Sequence, residues 1–262
     1  MLRSVPSLQI ALALLLAFIC SNTAQAATDE PIVAQLVWVE STAKNHQIFV
    51  ADLRGEDWSE PYAVYQSENE LASPVLTTDL SGGKWLVWSE RSRKKLVLMS
   101  QHLPINTSTW EPARIVSDLG YENTGPAMAV DLVGQLWLVW AANPGGMDDV
   151  YLSVREPGSI WTEPARLNAE NEVPDIRPEI ELLKDGDVQV SWQTFDFNLG
   201  GYTVALKQFA LDSLVKTRYK TPLDPASDLR PEDVALPNFV PGHTVVSLHL
   251  PNNRLVQSVR LN

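Results

Sequence analysis

The sequence predicts an all-β fold, a β-propeller of about five blades, and three observations carry that prediction. Pro74, Pro126 and Pro178 stand 52 residues apart. Trp38, Trp88, Trp140 and Trp192 follow at steps of 50, 52 and 52, and Trp58, Trp110 and Trp161 at steps of 52 and 51. Between these markers lie short runs rich in Val, Leu, Ile and Trp, broken by turns such as Leu80-Ser-Gly-Gly83 and Lys184-Asp-Gly-Asp187. Short apolar runs bounded by Gly, Pro, Asn and Asp are strands joined by hairpins. Four of them in a period of about 50 residues make one propeller blade.

Residues 1–26 read as an export signal. Arg3 supplies the positive start, Ile10–Ile19 the apolar centre, and Ala24-Gln25-Ala26 the small-x-small cleavage site. The mature chain then begins at Ala27 and runs to Asn262 as one domain in the periplasm or outside the cell. Cleavage removes Cys20, the only cysteine, so an exported protein must hold together without a disulfide. No later apolar stretch is long enough to span a bilayer. Net charge is −12, or −13 without Arg3, and the acids are scattered. That balance excludes a nucleic-acid binder, which needs a basic face, and disfavours an anionic membrane surface.

The strands fall in order. The first unit has Val33–Glu40, Gln47–Asp52 and Trp58–Tyr65. The second has Pro74–Asp79, Lys84–Glu90, Lys95–Ser100 and Trp110–Val116. The third has Pro126–Asp131, Gln135–Trp140, Asp149–Ser153 and Trp161–Pro164. The fourth has Pro178–Leu183, Asp187–Gln193, Tyr202–Phe209 and Val215–Thr221. The fifth starts at Pro231 and continues through Thr244–Leu250 and Arg254–Leu261. Each blade thus holds three to four antiparallel strands. The first unit lacks its first strand and the last lacks its fourth. Either one blade stays three-stranded or the C-terminal run completes the N-terminal blade. In Trp85-Leu-Val-Trp88 and Trp137-Leu-Val-Trp140 the two indoles point to opposite faces, so both faces must be buried between neighbouring blades.

The turns before Trp58 and Trp161 carry a family resemblance. Gly55-Glu-Asp-Trp58 and Gly158-Ser-Ile-Trp161 resemble the Asp-box (BNR) repeat of the sialidase-like propeller superfamily, roughly Ser-x-Asp-x-Gly-x-Thr-Trp, in degenerate form. In the second unit Thr107 replaces the glycine while Thr109-Trp110 keeps the pair, and the repeat's Asp becomes Leu53, Ile105 and Glu156. The resemblance implies that these boxes pin the turn between third and fourth strands, away from the functional face. Trp58, Trp110 and Trp161 are then packing residues.

Sialidases hold a carboxylate with three arginines and use a Tyr–Glu nucleophile and an Asp acid/base; their Arg-Ile-Pro motif is absent here. What the chain offers is Asp175-Ile-Arg177-Pro178 and Asp228-Leu-Arg230-Pro231, each entering an innermost strand. Arg177 and Arg230 could grip a carboxylate bidentately; alternatively each pairs with its own Asp175 or Asp228 and pins the loop. Glu40 and Glu90 follow Trp38 and Trp88 by two, share their orientation, and form a candidate acid/base pair or a pair of solvated strand-end acids. Tyr121-Glu122 is the nearest match to a Tyr/Glu dyad. The four histidines lack ligand spacing, so neither metal nor cofactor is expected. Together these features predict an exported, non-catalytic, sialidase-like propeller that binds a glycan or an envelope protein. The alternatives are a sialidase-type glycoside hydrolase and a structural part of a cell-envelope assembly.

Overall fold

The computed structural model describes residues 30–210, 234–237, 245–250 and 257–260. Residues 1–26 and the runs at Val215 and Pro231 lie outside them, as do Asp228 and Arg230. All regular structure among the described residues is β-strand, and no helix there is long and apolar enough to cross a membrane.

The strands form four antiparallel sheets. The second sheet holds β5 (Leu71–Thr78), β6 (Lys84–Ser92), β7 (Lys95–Leu103) and β8 (Arg114–Ser117) in that order. The third repeats it with β9 (Glu122–Val130), β10 (Leu136–Asn143), β11 (Asp149–Arg155) and β12 (Ala165–Arg166). The fourth has β13 (Asp175–Leu182), β14 (Val188–Asp196) and β15 (Gly201–Phe209). The first contains β1 (Ile32–Ser41), β2 (His46–Arg54), β3 (Asp57–Trp58) and β4 (Tyr62–Ser67), the last two both on β2.

Chain ends meet in the first sheet. β16 (Val245–His249) pairs with β1, placing Gln35 opposite His249 and Trp38 opposite Val246, and β17 (Gln257–Arg260) pairs with β16. β16 thereby takes the place beside β1 that β5, β9 and β13 take beside β6, β10 and β14. The C-terminal run completes the N-terminal sheet. The sheets pack in chain order, with β1 on β5, β5 on β9 and β9 on β13, and among the described residues the ring is not closed.

The cores lie in the seams between sheets. Trp85 joins Leu136, Leu138 and Trp140 between the second and third sheets, while Trp88 joins Val37, Ile48 and Val50 between the first and second. Trp137 faces Val188, Val190 and Trp192 of the fourth. The Trp-Leu-Val-Trp runs are therefore buried on both faces, as their alternation requires. Each buried indole removes roughly 200 Å² of surface from water, a gross gain of about 5 kcal/mol. Trp110 and Trp161 also pack against these cores, from turns whose left-handed residues are Asn106 and Gly158. In the second unit that residue falls one place before Thr107, so the turn is built one residue longer there.

Innermost strands begin earlier than their prolines. Ser73 (φ 49°), Gly125 (φ 56°) and Arg177 (φ 51°) each precede the proline in the left-handed region. The strand pairing shifts register around each of them. A proline has no N–H to give the ladder, so the break falls where a bond is already missing. The bulge then lets the strand resume pairing beyond it.

His249 ties β16 to the second sheet. Its Nε2 accepts a hydrogen bond from the Leu76 amide at 2.9 Å, and burial depresses its pKa from 6.5 to about 3. The unfolded chain therefore binds a proton that the folded chain refuses between those values. Stability from this group is complete above about pH 6.5 and declines by about 1.4 kcal/mol per pH unit as pH falls toward 3. Urea unfolding across that range should show the decline, and His249→Gln, which keeps an acceptor without a titrating ring, should flatten it.

Candidate functional site

The end of the molecule where β5, β9 and β13 begin gathers the candidate residues. Antiparallel pairing brings the far ends of β6, β10 and β14 to the same place: Leu71 lies opposite Glu90, Asn123 opposite Ala142, and Asp175 opposite Thr194. At each of these rungs a polar group sits in the seam.

Glu90 accepts four hydrogen bonds, from Ser67 Oγ at 2.8 Å, Tyr65 Oη at 2.9 Å, Asn69 Nδ2 at 3.0 Å and Trp88 Nε1 at 3.2 Å. Burial pushes its carboxyl up, and the four donors together outweigh that, holding it below the usual value. Burial, together with its contact to Glu90, pushes the Tyr65 hydroxyl up to about 12. In the next seam Asn123 Oδ1 accepts from Ser117 Oγ and Trp140 Nε1, both at 3.0 Å, and its Nδ2 donates to the carbonyls of Leu96 and Leu119. In the third, Asp175 accepts from Asn168 Nδ2 at 2.7 Å, Trp192 Nε1 at 2.9 Å and Asn171 Nδ2 at 3.0 Å. Asn168 Nδ2 also reaches Asp149 Oδ1 at 2.8 Å.

These three hubs are one device. Each takes an indole N–H from its own sheet and a short polar side chain from the sheet before it, or, for Asn168, from the loop that leaves that sheet. The acceptor stands on the inner strand in the third and fourth sheets and directly across the ladder, on β6, in the second. Glu40 accepts from Trp38 Nε1 at 3.0 Å.

The remaining candidates sit at the surface. Tyr121 is exposed, and its backbone joins Leu96 and Asn143. Glu122 lies 3.9 Å from Arg91, which also holds Glu70 at 2.7 Å. Arg177 is exposed on its bulge and, among the described residues, makes no ion pair with Asp175. Two residues along a regular strand would put the pair on one face, but the left-handed turn at Arg177 breaks the alternation. No three His, Cys, Asp or Glu side chains gather as metal ligands among the described residues.

Sequence reasoning passed over Ser67, Asn123 and Asn168. A signal for them existed: Ser67, Ser117 and Asn168 recur at 50 and 51 residues, and Leu71, Asn123 and Asp175 at 52.

No protein-family model matches the chain, and no curated protein does. Solved structures do. The GH93 α-L-arabinofuranosidase of Fusarium graminearum, in complex with arabinobiose, superposes with a TM-score of 0.51 at 11% identity, over 69% of this chain and 63% of that one. An endo-arabinase from Bacteroides thetaiotaomicron VPI-5482 gives 0.47 at 15% identity, over 68% and 72%. A protein of unknown function from Dyadobacter fermentans DSM 18053 gives 0.48 at 11%, over 69% and 66%. The likeness to the Fusarium enzyme is one of fold, and with the four repeated antiparallel sheets of the described residues it decides the architecture. The chain is a β-propeller. Its sheets are blades, and the hubs sit at the blade seams.

If the hubs are equivalent, an acceptor moved across the ladder should work. Glu90→Ala orphans buried donors and should cost about 2–4 kcal/mol in chemical denaturation. Adding Leu71→Asn, which rebuilds the Asn123/Ala142 arrangement in the second blade, should recover at least about 1 kcal/mol of it. A double variant no more stable than Glu90→Ala would refute the equivalence.

Proposed function

We propose that this propeller is an exported, non-catalytic module that binds a glycan, free or on an envelope protein, at the end where β5, β9 and β13 begin. The observation that carries this reading is the full hydrogen-bonding of Glu90. A glycosidase needs one carboxyl that exchanges a proton with the leaving group and a second that attacks or activates water. Glu90 is held ionised with its lone pairs occupied, and Asp175 is engaged by three donors. Glu40 is engaged by Trp38, and Glu122 is paired with Arg91. These acids serve the scaffold.

Among the described residues, Arg177 is a cation on an inner strand at this end that faces solvent. Its planar fork of donors suits hydroxyl or carboxylate oxygens. Its backbone φ of 51° costs roughly 1 kcal/mol or more in a residue other than glycine, strain of the kind that concentrates at functional positions. The sialidase-like resemblance of the repeats supports a saccharide ligand. The arabinobiose bound to the Fusarium enzyme makes arabino-oligosaccharides the first to test.

Calorimetric titration of the mature protein with a panel of plant and bacterial oligosaccharides should find a binder, with Arg177→Ala weakening it five- to tenfold. No reducing sugar should be released. Hydrolysis that disappears in a folded Glu40→Gln or Glu122→Gln variant would replace the binding module with an enzyme.

A further inference from the structure

Among the described residues, the fourth blade carries an aromatic cluster that lies outside the core clusters of the seams. Phe195 on β14 lies directly opposite Tyr202 on β15. The rings of Phe197 and Tyr202 each stand nearly perpendicular to Phe195, at 80° and 81°, with centroids 5.4 Å away. Phe197 is 75% exposed and Tyr202 48%. Edge-to-face packing fixes the outer two rings on the inner one and leaves ring surface to solvent.

The hairpin is built stiffly. Asp196 Oδ1 accepts from the amides of Asn198 at 2.7 Å and Leu199 at 3.2 Å, and Gly200 makes the turn at φ 63°. The Phe195 amide donates to the Pro174 carbonyl at 3.3 Å, anchoring the hairpin to the start of β13. A platform already ordered loses little entropy on binding.

Polar groups follow on the same side of the sheet. Two residues along β14, Gln193 pairs with Val204 and Ile176; two further, Ser191 pairs with Leu206 and Glu179. Alternation puts Phe195, Gln193 and Ser191 on one face. Val204 and Leu206 are exposed there, and the three rungs extend about 14 Å. Aromatic rings, an amide and a carboxylate in sequence along a rigid sheet match a chain of sugar rings, whose C–H faces stack on aromatics and whose hydroxyls both donate and accept. Charge selects the class. Glu179 lies on this face and the protein carries −12 overall, so an anionic polysaccharide would be repelled while a neutral one would not.

We infer that the outward face of the β14–β15 hairpin binds a neutral polysaccharide, with Phe197 and Tyr202 stacking on sugar rings and Gln193 hydrogen-bonding to hydroxyls. This rests on the saccharide-binding reading and assigns it a place and a ligand class. Calorimetry of the full mature chain would use linear arabino- and xylo-oligosaccharides as neutral probes and oligogalacturonate as the anionic one. Binding of a neutral probe, weakened at least tenfold in Phe197→Ala and in Tyr202→Ala but unchanged in Ile160→Ala, is the expected result. Both rings are exposed, so thermal unfolding should stay within a few degrees of wild type.

Neutral-probe binding that survives both substitutions but falls in Arg177→Ala would overturn the platform and leave the binding reading standing. Binding of oligogalacturonate alone would overturn the neutral class. A dimer dissolved by Phe197→Ala, with no sugar bound, would make the face a subunit contact. No binding of any saccharide would sink both the platform and the reading beneath it.

Discussion

A buried indole N–H calls for an acceptor, and the blade cores of this molecule are arranged around that requirement, although among the described residues Trp161 Nε1 stays buried without one. Leaving such a donor unsatisfied away from water costs roughly 1–3 kcal/mol, a large fraction of what a domain has to spare. Six tryptophans answer it in two ways. Near the start of the inner strands, Trp38, Trp88, Trp140 and Trp192 donate to Glu40, Glu90, Asn123 and Asp175. At the other end, Trp85 and Trp137 donate to Asp79 and Asp131, which also cap their hairpins by accepting two backbone amides each. Apolar packing alone would let one blade slide on the next. The shared acceptor in each seam, held also by Ser67, Ser117 or Asn168 from the preceding blade, sets the offset.

Repetition is where sequence reasoning was strong. The 52-residue step, the strand order and the two-faced tryptophans follow from periodicity, and periodicity survives substitution. The joining of the chain ends was legible only as one of two possibilities. Pairing between β1 and β16 spans more than 200 residues, and nothing local in Val245–His249 names its partner. The inner strands begin before Pro74, Pro126 and Pro178 because the bulge admits a residue that a regular strand would reject. Ser73 and Arg177 do not announce a left-handed backbone as Gly125 does.

The acids were harder for a physical reason. Glu90 at a strand end has the sequence context of a solvated carboxylate. Its surroundings come from Ser67, Asn69 and Tyr65 of the neighbouring blade, about 20 to 25 residues away. Asp175 and Arg177 look like a local ion pair, two residues apart. The left-handed turn between them separates a buried hub from an exposed guanidinium. In both cases the missing information was the seam, a relation between blades rather than within one.

Position within the stack bears on why we place saccharide recognition on the fourth blade. A blade with neighbours on both faces has its side chains dictated twice over: Trp85 and Trp88, or Trp137 and Trp140, with their acceptors. The fourth blade keeps Trp192 and its hub on the face toward the third, but Gln189 stands where Trp85 and Trp137 stand, and Leu183 where Asp79 and Asp131 do. Indole and acceptor have gone together, as they must if each exists for the other. No core cluster of the described residues forms on that side, and the outward face there is not uniformly apolar. It carries Gln189, Ser191 and Gln193 beside Phe195 and Tyr202. A surface released from packing is the one on which a binding chemistry can be written without weakening the scaffold.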